Sequence, residues 1–157
     1  MDDEAVSIIT DEHRANIGVK SEPMPVAIKD VDFRLVRDAL EDDDPRYADD
    51  TGNAAPYAMS ILEPEPGMGR KRGFVPQVLP QGILTQTEWT VHRPLKLAER
   101  LYARDEILDI RERLGGRFGR SVLVLLRTEY RDESGELVAE TGHTITQFDP
   151  AGGREKA

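Results

Sequence analysis

The chain has 157 residues, of which 38% are hydrophobic and 32% charged, and a formal net charge of -9. That length favours one domain with a core of its own, and the negative charge argues against binding nucleic acid or docking on an anionic membrane. With no cysteine, a disulfide framework, a thiolate metal site and a cysteine nucleophile are all excluded. The start, Met1-Asp2-Asp3-Glu4, lacks the basic and apolar regions of a secretory signal, and no apolar window reaches the roughly 20 residues of a membrane span. A cytoplasmic protein is expected.

In chain order, Met1 to Ile9 reads as an acidic, poorly ordered tail. Thr10 or Asp11 caps a brief helix through Asn16, which Gly18 ends. Val26-Ala27-Ile28, bracketed by prolines, is a first strand. Asp30 then caps an amphipathic helix of about three turns to Glu41. Its apolar face carries Phe33, Val36 and Leu40, with Leu35 and Ala39 beside them. Pro45 ends it before an acidic turn, Glu41-Asp42-Asp43-Asp44-Pro45-Arg46-Tyr47-Ala48-Asp49. Ala54 to Leu62 is nearly all apolar, with Pro56 suited to a first helical position, and reads as a short buried helix. Prolines and glycines keep Glu63 to Gln81 irregular, a candidate lid or partner-binding loop.

From Gly82 the period becomes two. Ile83 to Val91 predicts a half-buried strand, and Leu101 to Glu112 a second one with a bulge at Ile107-Leu108. Ser121 to Tyr130 predicts a third, buried on both faces at its centre. Ser134-Gly135 turns the chain into a last strand, Leu137 to Phe148. A helix laid across such an antiparallel sheet gives an α+β layer fold, and its uncovered edges call for a dimer that continues the sheet.

Three stretches carry a resemblance. The helix running into Asp42-Asp43-Asp44-Pro45-Arg46-Tyr47-Ala48-Asp49 is similar to an Asp-x-Asn-Pro-x-His-x-Asp loop. Ala55-Pro56-Tyr57 to Leu62 is similar to the start of a central helix. Leu84 to Leu95 resembles a strand ending in His-Arg-Pro-Leu, although Ala98-Glu99 stands where Gly-Asp usually follows. Together they resemble the MaoC-like dehydratase family, in particular its N-terminal, fatty-acid-synthase-type dehydratase domain. The resemblance implies a hot-dog fold, an antiparallel sheet wrapped around a central helix. It covers roughly residues 17–149 as a single domain, leaving 1–16 as tail and short helix and 150–157 as a disordered tail.

For active members, the resemblance implies reversible hydration of a 2-enoyl thioester of coenzyme A or a carrier protein, (R)-specific and without a cofactor. An aspartate and a histidine of the loop handle proton and water, and the central helix N-terminus polarises the thioester carbonyl. Asp42 matches the aspartate, Asp44 the asparagine, Pro45 the proline, Asp49 the trailing acid and Tyr47 the histidine. A phenol with an ordinary pKa near 10 cannot act as a base at neutral pH as imidazole does. Tyrosine here resembles the non-catalytic subunits of heterodimeric dehydratases, which bind the acyl group while a partner hot dog supplies the catalytic pair. Asp42 and Tyr47 are thus the degenerate catalytic positions, and Asp44, Pro56 and Tyr57 candidates for binding substrate. The basic run Arg70-Lys71-Arg72 is a candidate contact for coenzyme A or phosphopantetheine phosphates, against the simpler reading of a solvated loop. Alternatives are a hot-dog acyl-CoA thioesterase and a non-enzymatic ligand-binding or scaffold hot dog. Of the three histidines, His13 is expected to be exposed, His92 structural, and His143 directed into the sheet–helix layer or dimer seam. No pair of histidines has metal-ligand spacing, and no metal is expected.

Overall fold

The computed structural model describes residues 6–69 and 73–152. Its elements in order are α1 (Asp11–Arg14), β1 (Met24–Ala27), α2 (Asp30–Ala39), a 3-10 turn at Pro45–Tyr47, β2 (Asn53–Ala54), a 3-10 helix at Pro56–Ile61, β3 (Glu63–Pro64), β4 (Gln81–Val91), β5 (Leu95–Lys96), β6 (Leu101–Leu114), β7 (Arg120–Arg131) and β8 (Leu137–Phe148). A six-stranded sheet runs in the order β3-β1-β6-β7-β8-β4, and β2 and β5 form a separate two-stranded ladder. The pairings are antiparallel, as the alternating pattern predicts. The expected α+β class holds.

One face of the sheet is covered, in two patches. Under α2 and the 3-10 helix lie Val26, Ile28, Phe33, Ala58, Met59, Leu95, Leu101 and Val138. The second patch, Ile107, Ile110, Val122, Val124 and Leu126, is covered by Ile9 and by Phe74, Val75, Val78 and Leu79. Between them a polar row crosses the same face: Asp105 is registered with Thr128, Thr128 with Thr141, and Thr141 with Trp89. Asp105, Thr128 and Thr141 are buried, and the Thr128 hydroxyl donates to Asp105 at 2.6 Å. Such groups are tolerated inside only with hydrogen-bond partners.

Several expectations are corrected by packing. The N-terminal segment is no free tail from Ser7 onward, because Ile9 is buried in the second patch and the Ser7 hydroxyl donates to Glu112. Lys29, not Asp30, is the N-cap of α2, and the Asp30 carboxylate instead accepts from Arg34 one turn on. Phe33 is buried in that helix, while Leu35 and Leu40 are exposed, so the apolar stripe is narrower than its periodicity suggests. The Pro56 segment forms a six-residue 3-10 helix with Ala58 and Met59 buried. β7 is buried on one face only, Leu123 and Leu125 lying half-exposed on the other. β4 departs most: almost every residue is exposed, on both faces, because the strand is the sheet's edge and no element among the described residues covers it.

The chain between β3 and β4 is irregular as expected, but its described part after residue 72 is a strap packed on the sheet. Buried Gln147 fastens it, accepting from the Val78 and Leu79 amides and donating to the Pro76 carbonyl. The expected bulge is present, with register shifting between Ile107 and Asp109. Asp132 accepts from Ser134 and Glu136 to close the β7–β8 hairpin, in which Gly135 takes a φ of 87°.

Candidate active-site loop

The acidic turn is built by a change of backbone hand. After the C-cap Leu40, Glu41 adopts φ 53° and the Asp42 amide donates to the Arg37 carbonyl, ending α2. Asp44 then caps the Pro45–Tyr47 turn, accepting from the Arg46 amide at 3.0 Å, and proline at the first position needs no partner for an N–H. The Arg46 guanidinium closes back on the Asp44 carboxylate and stacks over the Tyr47 ring at 5.3 Å.

Arg37 clamps this turn to α2. Its guanidinium donates to the Tyr47 carbonyl at 3.1 Å and to Asp49 at 2.7 Å, and pairs with Asp38. Asp49 is held below the usual carboxylate range chiefly by this Arg37 hydrogen bond, and Asp44 likewise by Arg46. Asp42 makes different contacts. One of its oxygens accepts from the Asp44 amide at 3.1 Å and the other from the Tyr57 hydroxyl at 2.8 Å. The Tyr57 ring stacks on buried Phe33, centroids 5.9 Å apart and 17° from parallel. Burial, then the Asp42 carboxylate, push the Tyr57 phenol up to about 12.

The structure therefore brings Asp42, Asp44 and Tyr47 together around a shallow depression of about 510 Å³, shared with Asp38, Asp43 and Asp49. Tyr47 and Pro56 also line a neighbouring cleft of about 410 Å³ with an apolar floor at Ala54, Val91 and Leu95. Tyr47 packs against the first core patch. Tyr57 reaches the loop through its hydroxyl. The Arg70-Lys71-Arg72 run lies outside the described residues. A further cleft of about 450 Å³, mostly apolar, lies between residues 19–25 and Met68 and Phe74, with Asp105 among its lining.

His13 is half-buried and takes part in a capping box with Thr10. His92 lies at the end of β4 and pairs with Glu140 at 2.8 Å. His143 is registered with Thr87 and lies within 3.3 Å of its hydroxyl, in the row beside the buried polar one and next to the open edge. Among the described residues no group of side chains could hold a metal ion. Sequence reasoning missed the Arg37 clamp and the Tyr57–Asp42 bond. Arg37 on the polar face, one turn before the helix end, is a visible signal; nothing in the spacing of Asp42 and Tyr57 announces their contact.

A curled antiparallel sheet with a short helix against one face, and an Asp-x-Asp-Pro-x-Tyr-x-Asp loop at the end of that helix, define a hot-dog protein of the hydratase and dehydratase class. The family model for the FAS1-like dehydratase domain region matches residues 15–141, and the chain belongs to that family. No curated protein matches it by sequence. Among solved structures, a chain of the ChsH1-ChsH2 complex from Mycobacterium tuberculosis is similar at a TM-score of 0.73 and 20% identity, covering 90% of this chain and 94% of that one. A MaoC-like dehydratase is similar at 0.66 and 20% identity, covering 88% of this chain and 44% of the other, so this chain spans less than half of it. A chain of the HadBC (3R-hydroxyacyl-ACP dehydratase) complex from Mycobacterium tuberculosis follows at 0.55 and 18%, covering 83% and 96%. At these identities the likeness is one of fold.

Proposed function

We propose that this chain is the substrate-binding, non-catalytic subunit of a heterodimeric hydratase/dehydratase acting on 2-enoyl and (R)-3-hydroxyacyl thioesters. The observation that carries it is Tyr47, whose main-chain carbonyl accepts from Arg37 and which stands at the position the resemblance gives to a histidine. A phenol there can donate a hydrogen bond to the thioester oxygen but cannot take a proton from water at neutral pH. The acyl group, of coenzyme A or a carrier protein, would lie over the apolar clefts, and the room they offer favours ligand binding over a scaffold role. Two of the similar structures are complexes of two differently named proteins, which supports a catalytic hot-dog partner. Edge strand β4 presents eleven residues to such a partner, with Ile83, Leu84 and Trp89 exposed.

The test is loss of conjugated-thioester absorbance on adding crotonyl-CoA. The chain alone should give no turnover above background, while the chain with a partner hot dog bearing an intact Asp-x-Asn-Pro-x-His loop should turn over. Rapid turnover by the chain alone, abolished by Asp42→Ala, would refute the proposal. Release of free thiol from acyl-CoA would instead identify a thioesterase.

A further inference from the structure

We infer that Tyr57 is a positioning residue that latches the Asp42 carboxylate onto the start of the 3-10 helix and fixes where it lies in the depression it shares with Tyr47. This rests on the proposed function, since it explains what the loop's surviving carboxylate does in a subunit without the histidine. Both Asp42 oxygens are engaged, one by the Asp44 amide and the other by the Tyr57 hydroxyl. The donor is itself held in place by its ring, which stacks on Phe33, a residue 1% exposed. The left-handed Glu41 backbone and the Asp42 amide bond to the Arg37 carbonyl fix the other end. Asp42 is thus tied at its main chain to α2 and at its side chain to the 3-10 helix. A carboxylate fixed in one place cannot move to where a reacting water needs it, and a misplacement of about 1 Å can cost about a hundredfold in rate. With its phenol raised to about 12, Tyr57 also stays protonated and keeps donating throughout the neutral range.

Two defects would then keep the site silent, the missing imidazole and the latched carboxylate, and repairing one should not suffice. Hydration adds the elements of water: the oxygen bonds C3, one proton leaves for the base, and C2 takes a proton as the double bond's electron pair moves to it. The experiment introduces Tyr47→His in the full chain, alone and with Tyr57→Phe, which deletes only the hydroxyl and keeps the ring on Phe33. Crotonyl-CoA hydration is followed in both. The expected result is turnover near background for Y47H and at least a tenfold higher kcat for Y47H/Y57F with KM unchanged, lost again on adding Asp42→Asn. A structural role alone would leave kcat of the two variants equal once both are shown folded by their melting curves. Equal rates, or a folded Y47H/Y57F variant that stays silent, would overturn the latch. Neither outcome touches the proposed function, which is read separately from crotonyl-CoA turnover by the wild-type chain with and without its partner.

Discussion

Glu41 carries the sharpest local cost in the acidic turn. At φ 53° its Cβ crowds the following carbonyl, a conformation that costs a non-glycine residue about 1–2 kcal/mol. Glu41→Gly should therefore raise stability by up to about 1 kcal/mol, read as a higher melting temperature with the Asp42–Tyr57 bond intact. Tyr57 gives a second residue-scale prediction. Its phenol is raised in the folded state, so the stability it contributes is present in full below its unfolded value of 10.0 and is lost as pH rises through about 12. Asp42→Asn should lower the Tyr57 titration midpoint, observed by phenolate absorbance, because it removes the carboxylate while burial persists. Asp44 and Asp49 run the opposite way. Both are depressed in the fold, so their contribution is present above the ordinary value of 3.8 and lost as pH falls below it, and the turn should loosen in acid.

Among the elements, the strap and the edge strand differ from what a residue-by-residue reading suggests. The strap's prolines and glycines predict irregularity, and it is irregular, yet it is held through Gln147. Gln147→Leu leaves two amides and a carbonyl without that partner and should destabilise the protein by about 1–3 kcal/mol in urea unfolding. For β4, alternation in the sequence says that one face is buried, and in this chain neither is. Ile83→Lys with Leu84→Lys should weaken association with a hot-dog partner at least tenfold in sedimentation, while melting of the chain alone changes little, since both side chains are exposed already. The bulge at Leu108 and the hairpin at Ser134-Gly135 were legible because each is written in local residues. A strand's cover, by contrast, comes from distant parts of the chain.

For the whole molecule, two apolar patches on one sheet face are separated by the buried row Asp105, Thr128 and Thr141, which ends at exposed Trp89 on the open edge. That arrangement places the acidic loop and α2 over one patch and leaves the β4 end uncovered, the side on which a second hot dog would complete the sheet. The sequence by itself determined the α+β class, the order of the long strands along the chain and the loop at the end of α2, and its resemblance sets Tyr47 where a histidine is expected. Each follows from local periodicity, caps, turn residues or a short motif. Only the tertiary structure decided that β4 is an edge exposed on both faces, that the strap is fastened by Gln147, and that Asp42 is bound to Tyr57. The reason is physical: burial and hydrogen-bond partners depend on which distant segments meet, and a contact such as Tyr57 with Asp42 exists only once α2 and the 3-10 helix have packed together on Phe33.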